Sequence, residues 1–321
     1  MSDSAIQVSG LHKRYGEHVV LGGVDFDVPA GTVFALLGPN GAGKTTTVSI
    51  LSTLDTADAG TLRVAGVDVR RNPRDVRRHI AVTGQFAAVD NTLTGAENLR
   101  LIAGLHHLSR RDARSKVDGL LDRFALTDVA DRRASTYSGG MRRRLDLATS
   151  LVGDPSIVFL DEPTTGLDPR SRREMWSLVR ELVDAGVTIF LTTQYLDEAD
   201  RLADHIAILD GGRIAGSGTA DELTRAVPGG HLELRFTDTD VATRAALVLT
   251  SVAPSRTDTT LRVDTDGAVR DVRHVLGLLE AADVDVESMA LHTPDLDDVF
   301  FSLTGGRPAS DTRDLQEAIA P

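Results

Sequence analysis

Gly38-Pro39-Asn40-Gly41-Ala42-Gly43-Lys44-Thr45 follows the apolar run Val33-Phe-Ala-Leu-Leu37 and precedes a helical stretch over 46–54. The eight residues fit GxxxxGK[ST] between a strand and a helix, the context in which that pattern wraps a phosphate. Glycines let backbone N–H groups turn inward around an anion, and the following helix N-terminus adds positive partial charge. Lys44 is expected to reach the β and γ phosphates of a nucleotide, and the Thr45 hydroxyl to ligate Mg²⁺. Lysine occurs only at Lys13, Lys44 and Lys116, although Lys and Arg together number 35.

Outward from this loop, the apolar runs 157–160 and 187–191 read as strands buried on both faces, as in a parallel sheet covered by helices. The first runs into Asp161-Glu162-Pro163, which places two carboxylates at the carboxyl edge where open α/β sheets bind ligands. Asp161 suits Mg²⁺ coordination, and Glu162 suits orientation or deprotonation of an attacking water. The stretches 6–11 and 24–28 alternate and suggest an antiparallel layer at the N-terminus. Between about 88 and 153 the chain turns charged, with Leu99, Ile102, Leu105, Val117, Leu120, Leu121 and Phe124 at helical spacing. From about 219 to 305, apparent strands at 231–236, 260–263 and 286–291 alternate with helical stretches. The expected fold class is therefore α/β. A nucleotide-binding domain over 1–218 has a mostly parallel sheet, antiparallel N-terminal strands and a helical subdomain at about 88–153. A small C-terminal α/β domain over 219–305 and a polar tail over 306–321 follow.

A length of 321 residues accommodates two cores. The net charge of -12 argues against sequence-independent nucleic-acid binding, which depends on neutralising phosphates. The absence of cysteine excludes disulfides and thiolate metal sites and is compatible with a reducing cytoplasm. No segment approaches the ~20 apolar residues of a membrane span. The chain is expected to be soluble and to act at a membrane only through a separate partner.

The segment that discriminates among phosphate-binding loop proteins is Tyr137-Ser138-Gly139-Gly140-Met141-Arg142, followed by an Arg- and Leu-rich helix. It resembles the signature motif of ABC ATPases. In the same order as in that family stand Gln85 at the Q-loop, Asp161 and Glu162 at Walker B, and Gly166-Leu167-Asp168 at the D-loop. The resemblance covers about residues 5–218 and implies an ABC-type P-loop NTPase that binds and hydrolyses ATP with Mg²⁺. It implies that Tyr15 stacks on adenine, that residues 38–46, through Thr46, hold the phosphates, and that Gln85 contacts Mg²⁺ and the lytic water. It also implies that two chains pack head to tail, so that Ser138, Gly139, Gly140 and Asp168 of one close over nucleotide held by the other. As elementary chemistry, Ser138 and its glycines open a helix and offer a second anion site.

Where most ABC ATPases carry a switch histidine, this chain reads Thr192-Thr193-Gln194-Tyr195. The Gln194 amide can donate to a γ-phosphate oxygen but takes up no proton near neutral pH. This substitution, the run 137–146 and Leu296-Asp-Asp-Val-Phe-Phe-Ser-Leu-Thr-Gly305 are similar to the daunorubicin-resistance branch of drug exporters. That similarity implies a homodimer on the cytoplasmic face of the membrane, a separate integral-membrane permease and export of hydrophobic natural products. Export of a lipid or polysaccharide would use the same motifs, and a nucleotide-gated dimerising module with little hydrolysis is the alternative from another class.

Overall fold

The computed structural model describes residues 4–84, 88–227, 230–265 and 268–304. Gln85 and the tail 306–321 lie outside the described residues. The chain divides into two compact units between Ala220 and Asp221.

The first unit opens with β1 (Ser4–Tyr15), β2 (His18–Pro29), β3 (Val33–Leu37), α1 (Lys44–Leu51), β4 (Ala59–Val64), β5 (Val67–Asp68), α2 (Pro73–Val76) and β6 (Ile80–Thr83). Three longer helices follow, α3 (Gly95–Leu105), α4 (Arg110–Arg123) and α5 (Gly139–Ser150). The chain then returns through β7 (Ile157–Asp161), α6 (Pro169–Asp184), β8 (Thr188–Thr193), α7 (Leu196–Leu202), β9 (His205–Asp210) and β10 (Arg213–Gly218).

Every residue of β3, β7 and β8 is buried, which is why these strands read as continuous apolar runs. They lie in a six-stranded sheet of order β10-β9-β3-β8-β7-β6, parallel except for β10. A four-stranded antiparallel sheet, β2-β1-β4-β5, packs on it through aromatic contacts. Phe26 of β2 stacks on Phe34 of β3 at 5.1 Å, and Phe34 stacks on Phe190 of β8 at 5.4 Å. Strands β1 and β2 run 12 residues each, longer than their alternating stretches. Register shifts such as those between Val8 and Leu11 and between Leu11 and His12 break the two-residue period that marks a strand.

Local chemistry sets where the helices begin. Thr94 and Glu97 form a reciprocal capping box at α3. Ser109, Ser138 and Asp168 each accept a backbone N–H at the starts of α4, α5 and α6, and Pro169 occupies the first turn of α6. Helix α1 starts at Lys44, two residues before the helical pattern at 46, because the left-handed Gly43 (φ 108°) turns the loop directly into the helix.

After α8 (Ala220–Ala226), the second unit runs β11 (His231–Arg235), α9 (Thr239–Val248), β12 (Ser255–Thr257), β13 (Thr260–Asp264), α10 (Val269–Ala281), β14 (Ser288–His292) and α11 (Leu296–Thr304). Its antiparallel sheet has the order β12-β13-β11-β14, the split βαβ arrangement of ferredoxin-like folds. Leu232, Leu234, Leu261 and Val263 face inward against Ala245, Val275 and Leu279, while Glu233 and Arg262 alternate to the other face. No helix among the described residues is long and apolar enough to cross a membrane.

Candidate nucleotide site

The site grows from the carboxyl edge of the six-stranded sheet. Strand β3 delivers the chain to Gly38, whose N–H donates to the Thr193 carbonyl at 3.2 Å, so the end of β8 is fastened to the start of the loop. Pro39, Asn40 and Gly41 are exposed, Ala42 and Gly43 are buried, and α1 begins beneath them. Gly43 cannot be replaced without movement. Its conformation is left-handed, and a Cβ there would lie 2.6 Å from Leu21 Cδ2 and 3.1 Å from the Val20 carbonyl oxygen.

Lys44 is 4% exposed. Its ammonium donates to the Gly38 carbonyl at 2.7 Å and the Pro39 carbonyl at 3.1 Å, and stands 3.5 Å from Glu162 Oε1. Burial pushes its pKa down, and the Glu162 carboxylate acts in the opposite direction. The ammonium is thus held inside the loop by weak neutral acceptors and one carboxylate. A polyphosphate entering the loop would offer it stronger charged acceptors.

Thr45 follows at an exposed position, and its hydroxyl donates to Asp161 Oδ1 at 3.3 Å. Thr192 Oγ1 donates to the same oxygen at 2.5 Å. A hydroxyl and a buried carboxylate converging here are hard oxygen donors of the kind Mg²⁺ takes alongside phosphates. They fit that ion without forming an all-protein cage, and no group of three or more His, Cys, Asp or Glu among the described residues could hold a metal. Glu162 has φ 49°, a left-handed conformation costing a non-glycine residue about 1–3 kcal/mol. Its N–H donates to the Thr192 carbonyl at 3.1 Å, within reach also of Thr192 Oγ1 at 3.2 Å, and this anchoring helps hold the strained backbone.

Gln194 is half-buried and directly follows Thr193, the residue tied to Gly38. Tyr15 is 52% exposed, and its hydroxyl donates to Asp55 Oδ2 at 2.5 Å. The Lys13 ammonium donates to Asp55 Oδ1 at 2.8 Å and lies 4.7 Å from the Tyr15 ring centroid. Lys13 and Tyr15 together hold the Asp55 carboxyl at a pKa of about 2. The same environment places the Tyr15 hydroxyl beside the Thr46 hydroxyl in the first turn of α1.

The other expected site residues gather elsewhere. Ser138 and Gly139 are exposed at the start of α5. Ser138 Oγ accepts from the Met141 N–H at 3.2 Å. The nearest neighbours of Gly139 and Gly140 are Leu167 and Ser171, and a Cβ on Gly140 would lie 2.5 Å from Ser171 Oγ. Asp168 turns its carboxylate to its own helix, accepting from the N–H groups of Arg170 and Ser171 and from Ser171 Oγ. The signature segment and the D-loop therefore lie side by side.

Three residues in this region escaped the sequence reading. Thr192 joins both Walker B residues, and its position at the end of a buried strand was the available signal. Glu198 of α7 is fully buried and accepts from Thr164 Oγ1 at 2.8 Å and Trp176 Nε1 at 3.1 Å, and burial pushes its carboxyl pKa up. Arg143, on α5, is 7% exposed and sends its guanidinium into the site's backbone. Consecutive arginines on a helix point 100° apart, and Asp146 lies three residues from Arg143 but four from Arg142, so the spacing did not single out the buried one.

Comparison with known proteins bears on this geometry. Residues 21–165 match the family model described as ABC transporter. The chain is 48% identical over 320 residues to a daunorubicin resistance ATP-binding protein of Streptomyces coeruleorubidus, covering 99% of this chain and 100% of that one. It is 38% identical to the Nod factor export ATP-binding protein I of Ralstonia nicotianae, covering 95% of each. Among solved structures, an ATP binding subunit of an ABC transporter superposes with a TM-score of 0.62 at 30% identity, over 69% of this chain and 92% of that one.

Proposed function

The chain belongs to the ABC transporter family, and from that premise we propose that it is the ATP-hydrolysing subunit of an exporter of hydrophobic drugs or natural products. The observation that carries this reading is the convergence of Lys44, Thr45, Asp161, Glu162 and Thr192 at one end of α1. The loop 38–43 binds phosphate through its backbone, and Lys44 leaves its carbonyl partners to bridge the β and γ phosphates. Thr45 and Asp161 would hold Mg²⁺, with Gln85 as a further ligand, and the bound ion would screen phosphate charge. Glu162 orients and deprotonates the attacking water. Tyr15, fixed by Asp55, stacks on adenine.

Two copies close head to tail, and Ser138, Gly139 and Gly140 of each meet the γ-phosphate held by the other, with Asp168 at the same seam. A separate permease supplies the membrane path, with the ATPase pair on the cytoplasmic face. Similarity to the daunorubicin resistance protein along its whole length, second unit included, supports a drug as cargo. A second reading is export of a lipid or polysaccharide, and the chain is also similar to a Nod factor export ATP-binding protein. Inverted vesicles carrying the chain and its permease separate the two. ATP-driven uptake of an anthracycline supports the first, and uptake of a lipid or polysaccharide alone supports the second.

Gln194 is the switch residue of this site, donating its amide to a γ-phosphate oxygen. Gln194→Ala is expected to lose most hydrolysis and keep most ATP affinity, which the loop supplies. Gln194→His is expected to remain active and to gain a pH-dependent limb near the ordinary histidine value of about 6.5. Steady-state rates across pH check this, and near-parental turnover in Gln194→Ala would remove the role.

A further inference from the structure

One buried guanidinium on α5 reaches both the segment 161–163 and Gly84. Arg143 Nε donates to the Pro163 carbonyl at 2.9 Å, and Nη2 to the carbonyls of Asp161 at 3.2 Å and Glu162 at 3.4 Å. Its Nη1 donates to the Gly84 carbonyl at 2.6 Å and to Asp146 Oδ2 at 3.3 Å. Asp146 Oδ1 in turn accepts the Ala88 N–H at 2.8 Å. The pair therefore holds Gly84 and Ala88, which flank the segment containing Gln85, and Arg143 donates to the carbonyls of Asp161, Glu162 and Pro163, of which the Glu162 carbonyl also accepts the Thr165 N–H at 3.3 Å.

An ion pair serving only to neutralise Asp146 would need one N–H. This guanidinium directs its fork at four carbonyls, a pattern that a lysine ammonium, with its three donors, cannot reproduce. Arg143 also lies five residues after Ser138, on the helix whose N-terminus forms the second anion site. The bonds to Pro163 and Gly84 are short and those to Asp161 and Glu162 longer, so a displacement of α5 must carry the backbone of 161–163 with it or break them.

We propose that Arg143, braced by Asp146, is the positioning residue that couples the two half-sites of one chain. Seating of α5 on the partner's nucleotide sets the Glu162 carboxylate against the chain's own nucleotide. The inference rests on the shared-site reading above. In its terms, hydrolysis on one chain answers to occupancy of the other through a single side chain.

The test uses the full-length chain with Arg143→Lys, and with Arg143→Met combined with Asp146→Asn so that no carboxylate is left buried and unpaired. Calorimetric ATP binding, steady-state turnover against ATP concentration and thermal melting are measured together. The expected result is an ATP dissociation constant within about threefold of the parent and a kcat lowered about tenfold or more, the split that marks an effect confined to the transition state. The rise of rate with ATP, steeper than first order in the parent, should become first order. A lowered melting temperature with parental kcat and parental steepness would assign Arg143 a purely structural role and overturn the proposal, as would a parent already first order in ATP. Glu162→Gln is the control. If it is inactive while Arg143→Lys turns over normally, the coupling alone fails; if it hydrolyses at the parental rate, the shared-site reading and the coupling fail together. Should neither Arg143 variant fold, amide exchange at Glu162 with ATP present decides. Faster exchange in Ser138→Arg than in the parent supports the coupling, and equal exchange overturns it.

Discussion

Glu162→Gln is expected to stop hydrolysis while ATP stays bound, so that an ATP-dependent dimer accumulates on size-exclusion chromatography. The amide keeps the size of the side chain and can still accept from Thr165 Oγ1, which lies 3.3 Å from Glu162 Oε2. It loses the base, and a positioned general base contributes roughly 10²–10⁴-fold to rate. It also loses the carboxylate 3.5 Å from the Lys44 ammonium, which frees that charge for phosphate. Binding should therefore hold or tighten as turnover falls. Parental turnover in the variant would take Glu162 out of the chemistry.

Lys44→Ala has the opposite signature, loss of capture. Hydrogen bonds from a charged group contribute about 1.5–3 kcal/mol each, so losing one to phosphate lowers Mg-ATP affinity roughly 10- to 100-fold. Arginine should restore it only in part. The space is bounded by the Gly38 and Pro39 carbonyls and by Glu162, and it fits a compact ammonium better than a planar fork. Titration with Mg-ATP checks both variants, and unchanged affinity in Lys44→Ala would contradict the role.

What the sequence made legible follows from which signals are local. Strands β3, β7 and β8 are buried along their whole length and therefore appear as apolar runs with Gly, Pro or Asp at their ends. The loop 38–45 carries its own geometry in its glycines. Helix starts such as Ser138 and Asp168 are written in single residues. By contrast, β4 has mixed exposure, β6 is only four residues long, and bulges interrupt the period of β1 and β2. None of these leaves a clean pattern.

The same divide runs through the site. That Asp161 and Glu162 end a strand is a local fact. That Thr192, 31 residues later, donates to Asp161 depends on β7 and β8 lying side by side. Arg143 reaching Gly84 across 59 positions depends on how α5 packs against β6 and β7. Spacing along the chain cannot state such contacts. The second unit adds a further case: its strands alternate legibly, but their order in the sheet emerges only from the pairing of β11 with both β13 and β14.

The central claim is that Lys44 and Ser138 of different chains complete one site. Mixing Lys44→Ala chains with Ser138→Arg chains tests it most directly. Each variant alone is expected to be inactive, because every site in its dimer lacks either the phosphate-binding ammonium or the closing helix. A mixed dimer has one site with both defects and one with neither, so ATPase activity should return in proportion to the mixed dimers formed. Two inactive variants that form mixed dimers without any recovery, under conditions where one intact site suffices for turnover, would contradict the shared site.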